Sequence, residues 1–155
     1  MNLKESLQKA PVTHVDLSFY IETELGTKVI DVLHKMKASH RKCALVMDRG
    51  HLKGIFTERD VVKKVAGDAD ALSKPIDQLM TPDPMTISGE LTVVKAAEAI
   101  TGTRYRYLPV VDDDGNVLGT LTYYALIKYI SDYFPQDIYN QPPVPDLFAS
   151  ARAGA

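Results

Sequence analysis

The chain of 155 residues carries 18 basic against 20 acidic side chains, a formal net charge of −2, and 45% of its residues are hydrophobic. It is long enough for a buried core and too apolar for wholesale disorder, and its charge balance supplies no general pull toward nucleic acid or an anionic membrane. A single cysteine, Cys43, excludes an internal disulfide framework; with no apolar signal-peptide core and no run of membrane-spanning length, the expectation is a cytoplasmic protein.

In chain order, residues 2–10 place Leu3 and Leu7 at helical spacing between charges, and Pro11 ends the segment. This reads as a short amphipathic entry helix, docked on its own domain or on a second subunit. Residues 17–22 read as a strand. Gly26-Thr27 then opens a helix whose Val29, Val32, Leu33 and Met36 form one apolar stripe. Residues 43–47 are a short apolar strand in which Cys43 reads as a buried structural thiol rather than a nucleophile. Asp48-Arg49-Gly50-His51 is a turn, residues 52–56 a second strand, and residues 57–65 a helix with Val61, Val62 and Val65 facing inward. The order is β-α-β-β-α.

The same order then returns. Gly119-Thr120-Leu121-Thr122 lies 65 residues after Gly54-Ile55-Phe56-Thr57. At that offset Leu45-Val46 falls on Val110-Val111, Gly50 on Gly115, and Val61, Val62 and Val65 on Leu126, Ile127 and Ile130. At an offset of 64, Val29, Val32, Leu33 and Met36 fall on Val93, Ala96, Ala97 and Ile100, which places a single insertion near Gly102. Matching apolar positions across four elements identify an internal duplication. A unit of roughly 60 residues buries only a marginal core alone, so the two should pack together. The fold expected is α+β, with residues 1–11 as entry helix, 12–72 as the first β-α-β-β-α repeat, 73–80 as connector, 81–134 as the second repeat and 135–155 as a Pro-containing tail. Ser73-Lys74-Pro75 starts the connector as a short helix through Leu79-Met80, ended by Pro82 and Pro84. The tail shows no apolar periodicity; it either lies extended across a neighbour through Ile138, Tyr139, Leu147 and Phe148 or stays mobile.

Within the first repeat, Gly54-Ile55-Phe56-Thr57-Glu58-Arg59-Asp60 reads as a strand end followed at once by a helix start. Two readings stand side by side. In one, the Thr57 hydroxyl and the first-turn amides face an anionic group, and Asp60 accepts two hydrogen bonds from a vicinal diol such as a ribose. In the other, Thr57 and Asp60 are a capping-box pair and need no ligand.

The tandem unit, together with Gly54-Ile55-Phe56-Thr57-Glu58-Arg59-Asp60, Met80-Thr81-Pro82 and Leu108-Pro109-Val110-Val111-Asp112, resembles the paired CBS domains over residues of about 13 to 134. The resemblance implies a regulatory module rather than a catalyst: a pseudo-twofold pair of repeats with two clefts, binding an adenosyl ligand, passing occupancy to a protein partner and joining as a homodimer. AMP, ADP, ATP, NAD and S-adenosylmethionine all share the adenosyl part. Carried over by position, Thr57 meets phosphate or ribose oxygens, Asp60 holds the ribose hydroxyls, and Thr122 matches Thr57 in the second cleft. Ala125 stands where the second ribose-binding aspartate belongs, so one competent site is expected, centred on Asp60. The family also places a basic residue at the entrance of the middle strand; Arg41 and Arg106 are read as an equivalent pair there, and a guanidinium suits phosphate. The base is expected against Tyr20-Ile21-Glu22 and Met85-Thr86-Ile87, with the assignment of Ile21, Thr86 and Ile87 to a particular cleft left open.

Other chemistries find less support. His14, His34, His40 and His51 have no metal-ligand spacing, and Asp112-Asp113-Asp114-Gly115-Asn116 lacks the glutamate of a calcium loop and reads as a hairpin turn. Tyr105, Tyr107, Tyr123, Tyr124, Tyr129 and Tyr133 suggest base stacking, but those of the last helix fit better against a partner subunit or the tail. No nucleophile–base pair, carboxylate pair or Gly-rich phosphate loop is present, and no basic helix suits nucleic acid. The alternative to a ligand sensor is a dimerisation scaffold with empty clefts.

Overall fold

The computed structural model describes residues 2–133, so the expected tail lies outside the described residues. Helix α1 (Leu3–Lys9) is followed by a turn at Val12–His14, β1 (Ile21–Glu24), α2 (Val29–Ser39), β2 (Cys43–Asp48), β3 (His51–Thr57) and α3 (Glu58–Asp60). Helix α3 runs directly into one wider π turn, Val61–Val65, and 3-10 turns follow at Ala69–Ser73 and Ile76–Gln78. Then come β4 (Thr81–Pro82), β5 (Ile87–Ser88), α4 (Val93–Thr101), β6 (Tyr107–Val111), β7 (Val117–Thr122) and α5 (Tyr123–Tyr133). The architecture is α+β, and both repeats run β-α-β-β-α. The stripes read from sequence are the buried ones: Val29, Val32 and Met36 on α2, and Val93, Ala96 and Ile100 on α4.

The sheets show how the repeats are joined. One has the order β1-β2-β3-β4 and the other β5-β6-β7. Within each repeat the first strand pairs parallel with the second, which then forms an antiparallel hairpin with the third. Strand β4 leads into the second repeat yet pairs with β3 of the first, Gly54 opposite Pro82 and Ile55 opposite Thr81. The reciprocal contact is made by the segment before β1, where the Thr120 amide donates to the Leu17 carbonyl at 2.9 Å. The pattern repeats further back. The Val12 amide donates to Leu91 O and the Val93 amide to Ala10 O, while the Ile76 amide donates to Thr27 O and the Val29 amide to Lys74 O. Each repeat thus receives the segment that precedes the other.

Packing follows the same exchange. Val12 and Val15 sit in the core of the second repeat with Ile87, Leu108, Val110 and Leu121. Ile76 sits in that of the first with Val29, Val46 and Phe56. A third cluster of Cys43, Leu45, Met47 and Ile55, with Tyr107 and Val117 packed on it, is where the repeats meet.

Several expectations are corrected. The strand expected over residues 17–22 begins only at Ile21, because Leu17 is held against β7 of the other repeat. The helix expected over residues 57–65 has three α residues before it widens, the Ala66 amide reaching Val61 O at 2.8 Å. Val62, expected inward, is 71% exposed, and its counterpart Ile127 60%; Val61 and Val65 alone meet the core. The connector is two 3-10 turns rather than a helix through Leu79-Met80. Tyr129, expected against a partner or the tail, is buried in the core of the second repeat.

The insertion is also relocated. Cys43 pairs with Thr57 and Tyr107 with Thr122, so β2 maps onto β6 at an offset of 64 while β3 maps onto β7 at 65. Both hairpins carry an irregularity at matching places, Val46/Met47 and Val110/Val111. The extra residue therefore lies in the hairpin turn, where Asp113-Asp114-Gly115 replaces Arg49-Gly50, and not near Gly102. There the Asp112 carboxylate accepts from the Asp114 and Asn116 amides at 3.0 and 2.8 Å, and these bonds hold its carboxyl below the usual range.

Thr120 occupies the position of Ile55 in the first repeat and is fully buried opposite Pro109, its hydroxyl without a hydrogen-bond partner among the described residues. A buried unpaired hydroxyl costs about 1–3 kcal/mol. Thr120→Val should therefore raise stability by about 1 kcal/mol in urea unfolding; a loss instead would show that the hydroxyl is bonded in solution.

Candidate functional site

Strand β3 ends in Gly54, Ile55 and Phe56, all buried, and the chain turns at Thr57 into α3. The turn is stapled as the capping-box reading expects: the Thr57 amide donates to Asp60 Oδ2 at 3.0 Å. Asp60 is 8% exposed. Its other oxygen, Oδ1, lies 3.0 Å from Lys64 Nζ, which also donates to the Leu79 carbonyl at 2.9 Å. Both carboxylate oxygens are thus engaged within the chain. A carboxylate offers about four acceptor directions, so a diol can still be received by sharing or by displacement.

Beside the first residue of α3, Glu58, lies Tyr107 of β6 from the second repeat. Burial pushes its phenol up to about 12, with the Glu58 charge and hydrogen bond adding to the shift. The first residue of α3 is thereby tied to the other repeat. Burial, reinforced by the nearby Asp60 charge, also raises the Cys43 thiol, which keeps it protonated and unreactive.

The second junction is built differently. The Ala125 amide donates to Thr122 Oγ1 at 3.1 Å, but the methyl of Ala125 returns nothing and lies in the core. Arg41 lies with its guanidinium 4.8 Å from the Phe19 ring centroid, and Phe19 meets Tyr124 of α5 edge-on at 5.3 Å. Hydrogen bonds from the Ser18 hydroxyl and amide hold the nearby Asp16 carboxyl below its usual range, with the Arg41 and Lys128 charges helping.

The register corrects the pairing of the two arginines: Lys42, not Arg41, is the counterpart of Arg106, and Tyr105 that of Arg41. Arg106 is exposed beside Tyr107. Ile21 and Ile87 are buried, each in the core of one repeat, so their side chains are turned away from solvent, while Thr86 is exposed. A shallow cavity of about 670 Å³ is lined by Thr13, Val15, Asp16, Leu17, Ser18, Tyr20 and Leu118; of the segments expected around a ligand, only Tyr20 borders it. The sequence reading does not single out Lys64 or the approach of Tyr107 to Glu58. The Asp60–Lys64 spacing of four residues was a usable signal for the ion pair; no local pattern points from Tyr107 to Glu58.

Comparison with known proteins decides the family: the model described as CBS domain matches residues 19–67 and again residues 76–132, more than half of the chain. The chain belongs to the CBS-domain family. Among solved structures, this CBS pair is similar to the CBS-domain containing protein ATU1752 from Agrobacterium tumefaciens, at 28% identity and a TM-score of 0.65 over 71% of this chain and 88% of that one. The CBS domain protein NE2398 is 29% identical with a TM-score of 0.69, over 77% and 95%. Among curated relatives, the meiotically up-regulated gene 70 protein of Schizosaccharomyces pombe is 34% identical over 105 residues, and arabinose 5-phosphate isomerase GutQ of Salmonella typhi 29% over 98. The matches cover 67% and 63% of this chain but only 14% and 30% of those proteins. Among the described residues, no helix is long and apolar enough to cross a membrane, and no group of His, Cys, Asp or Glu is gathered as a metal site.

Proposed function

We propose that this CBS pair is a non-catalytic regulatory module that binds an adenosyl ligand through Asp60 and signals through the packing of its repeats. The observation that carries the reading is the Asp60 carboxylate, nearly buried at the β3–α3 junction and held by the Thr57 amide. Structural neighbours support the ligand class. CBSX2 was solved with AMP, the CBS pair of MJ0100 with 5-methylthioadenosine and S-adenosylmethionine, and the cytosolic domain of the Mg2+ channel MgtE with ATP. At 20–22% identity such likeness carries the fold alone, so the transfer to this chain rests on Asp60. Ala125 leaves the second junction without a diol acceptor. In this chain, the signal would pass to a second copy or another cytoplasmic polypeptide.

The test is thermal unfolding against AMP, ADP, ATP, NAD and S-adenosylmethionine, with guanosine nucleotides as control. A ligand at about 100 times its dissociation constant stabilises by about 2.7 kcal/mol, several degrees for a domain of this size. No shift at millimolar concentration would favour the scaffold reading, to which one observation already lends weight: both Asp60 oxygens are satisfied within the chain.

A further inference from the structure

Lys64 makes two contacts that belong to different parts of the molecule. Its ammonium sits on Asp60 Oδ1 at 3.0 Å and donates to the Leu79 carbonyl at 2.9 Å. Leu79 immediately precedes Met80, whose thioether fills the space where Gly54 has no side chain, and β4, which pairs with Gly54 and Ile55. A single cation therefore joins the carboxylate to a carbonyl two residues before the exchanged strand.

The second repeat lacks both members of the pair. At the offset of 65, Asp60 becomes Ala125 and Lys64 becomes Tyr129, and both replacements are buried in the core of that repeat. The device exists once.

We infer that Lys64 is a built-in competitor for a diol at Asp60, and that its displacement carries ligand occupancy to the connection between the repeats. The inference rests on the adenosyl reading above. The Asp60 side chain is 11% exposed and that of Lys64 37%, so the lysine is the outer member through which a ligand reaches the carboxylate. A ribose diol donates two hydroxyl protons and satisfies the carboxylate as the ammonium does. The released ammonium returns to water at small cost because it was already partly hydrated. What is lost is the donor to Leu79, and the docking of β4 on β3 is loosened from its N-terminal side. The response is bounded by the difference in ligand affinity between the tethered and released states.

Lys64→Met keeps the aliphatic stem and removes the competitor; Lys64→Arg keeps the charge and serves as control. Adenosine is the probe, because it has the diol and no phosphate to attract Lys64. Calorimetry should show adenosine binding Lys64→Met roughly two- to five-fold more tightly than wild type, the size of a partly exposed ion pair, and Lys64→Arg near wild type. Adenosine should speed amide exchange at Met80 and Thr81 in the wild type, whereas in Lys64→Met exchange there should be fast from the start and unresponsive. Equal or weaker binding to Lys64→Met, with binding still weakened about tenfold or more by Asp60→Asn, overturns the role of Lys64 and leaves the adenosyl site standing. Adenosine binding to neither wild type nor Lys64→Met at millimolar concentration overturns both.

Discussion

Asp60→Asn is expected to yield a folded protein that has lost its thermal response to adenosyl ligands. The amide keeps one oxygen for the Thr57 N–H, so the 3.0 Å staple at the head of α3 survives. It gives up the ion pair with Lys64, a partly exposed contact worth about 1 kcal/mol or less. Against a diol the change is larger. A carboxylate accepts from both hydroxyls, while an asparagine already holding Thr57 presents an NH2 donor to two further donors. Hydrogen bonds to a charged acceptor are worth about 1.5–3 kcal/mol, so affinity should fall by about 10- to 150-fold. The pair of readouts separates the two roles of this side chain. Wild-type ligand response in Asp60→Asn would reduce Asp60 to a cap, and the scaffold reading would take precedence.

The second large effect is expected at a glycine remote from that carboxylate. Gly54 and Gly119 are equivalent, and each leaves room for the segment contributed by the other side of the duplication. They should not respond equally to an added methyl. At Gly54 the obstructing atoms are the end of the Met80 side chain, which can adopt another rotamer. At Gly119 they include the backbone carbonyl of Leu17, its oxygen 2.6 Å and its carbon 3.2 Å from the new Cβ. The same carbonyl accepts from the Thr120 amide at 2.9 Å, so it cannot retreat without breaking that bond. Gly119→Ala should cost about 2–3 kcal/mol in urea unfolding and Gly54→Ala about 1 kcal/mol or less. Equal costs would show that the segment before β1 is free to shift on β7.

Much of this was written in local pattern. The stripes of α2 and α4, the two hairpins, the duplication and the Thr57–Asp60 spacing follow from periodicities that report which face of an element meets a core. Cys43 as a buried thiol follows from its place in an apolar run, whereas reading Ala125 as a missing acceptor needs the family resemblance as well. The Asp60–Lys64 spacing was equally legible, though it does not say that Leu79 shares the same ammonium.

What only the tertiary structure decided is which core receives which segment. Val12, Val15 and Ile76 are apolar whichever repeat they serve, and a side chain's hydrophobicity carries no address. The insertion is misplaced by the sequence for a related reason. Strand β2 is buried on both faces from Cys43 to Met47, so it has no alternation to distinguish an offset of 64 from one of 65. Only the ladder, with Cys43 opposite Thr57 and Tyr107 opposite Thr122, sets the register that moves the extra residue into the turn and separates Arg41 from Arg106. The sequence by itself determined a duplicated α+β chain with the Thr57–Asp60 pair in one repeat and Ala125 in place of the aspartate in the other; long-range pairing decided how the halves interlock, because backbone hydrogen bonds between distant segments leave no periodic trace in either.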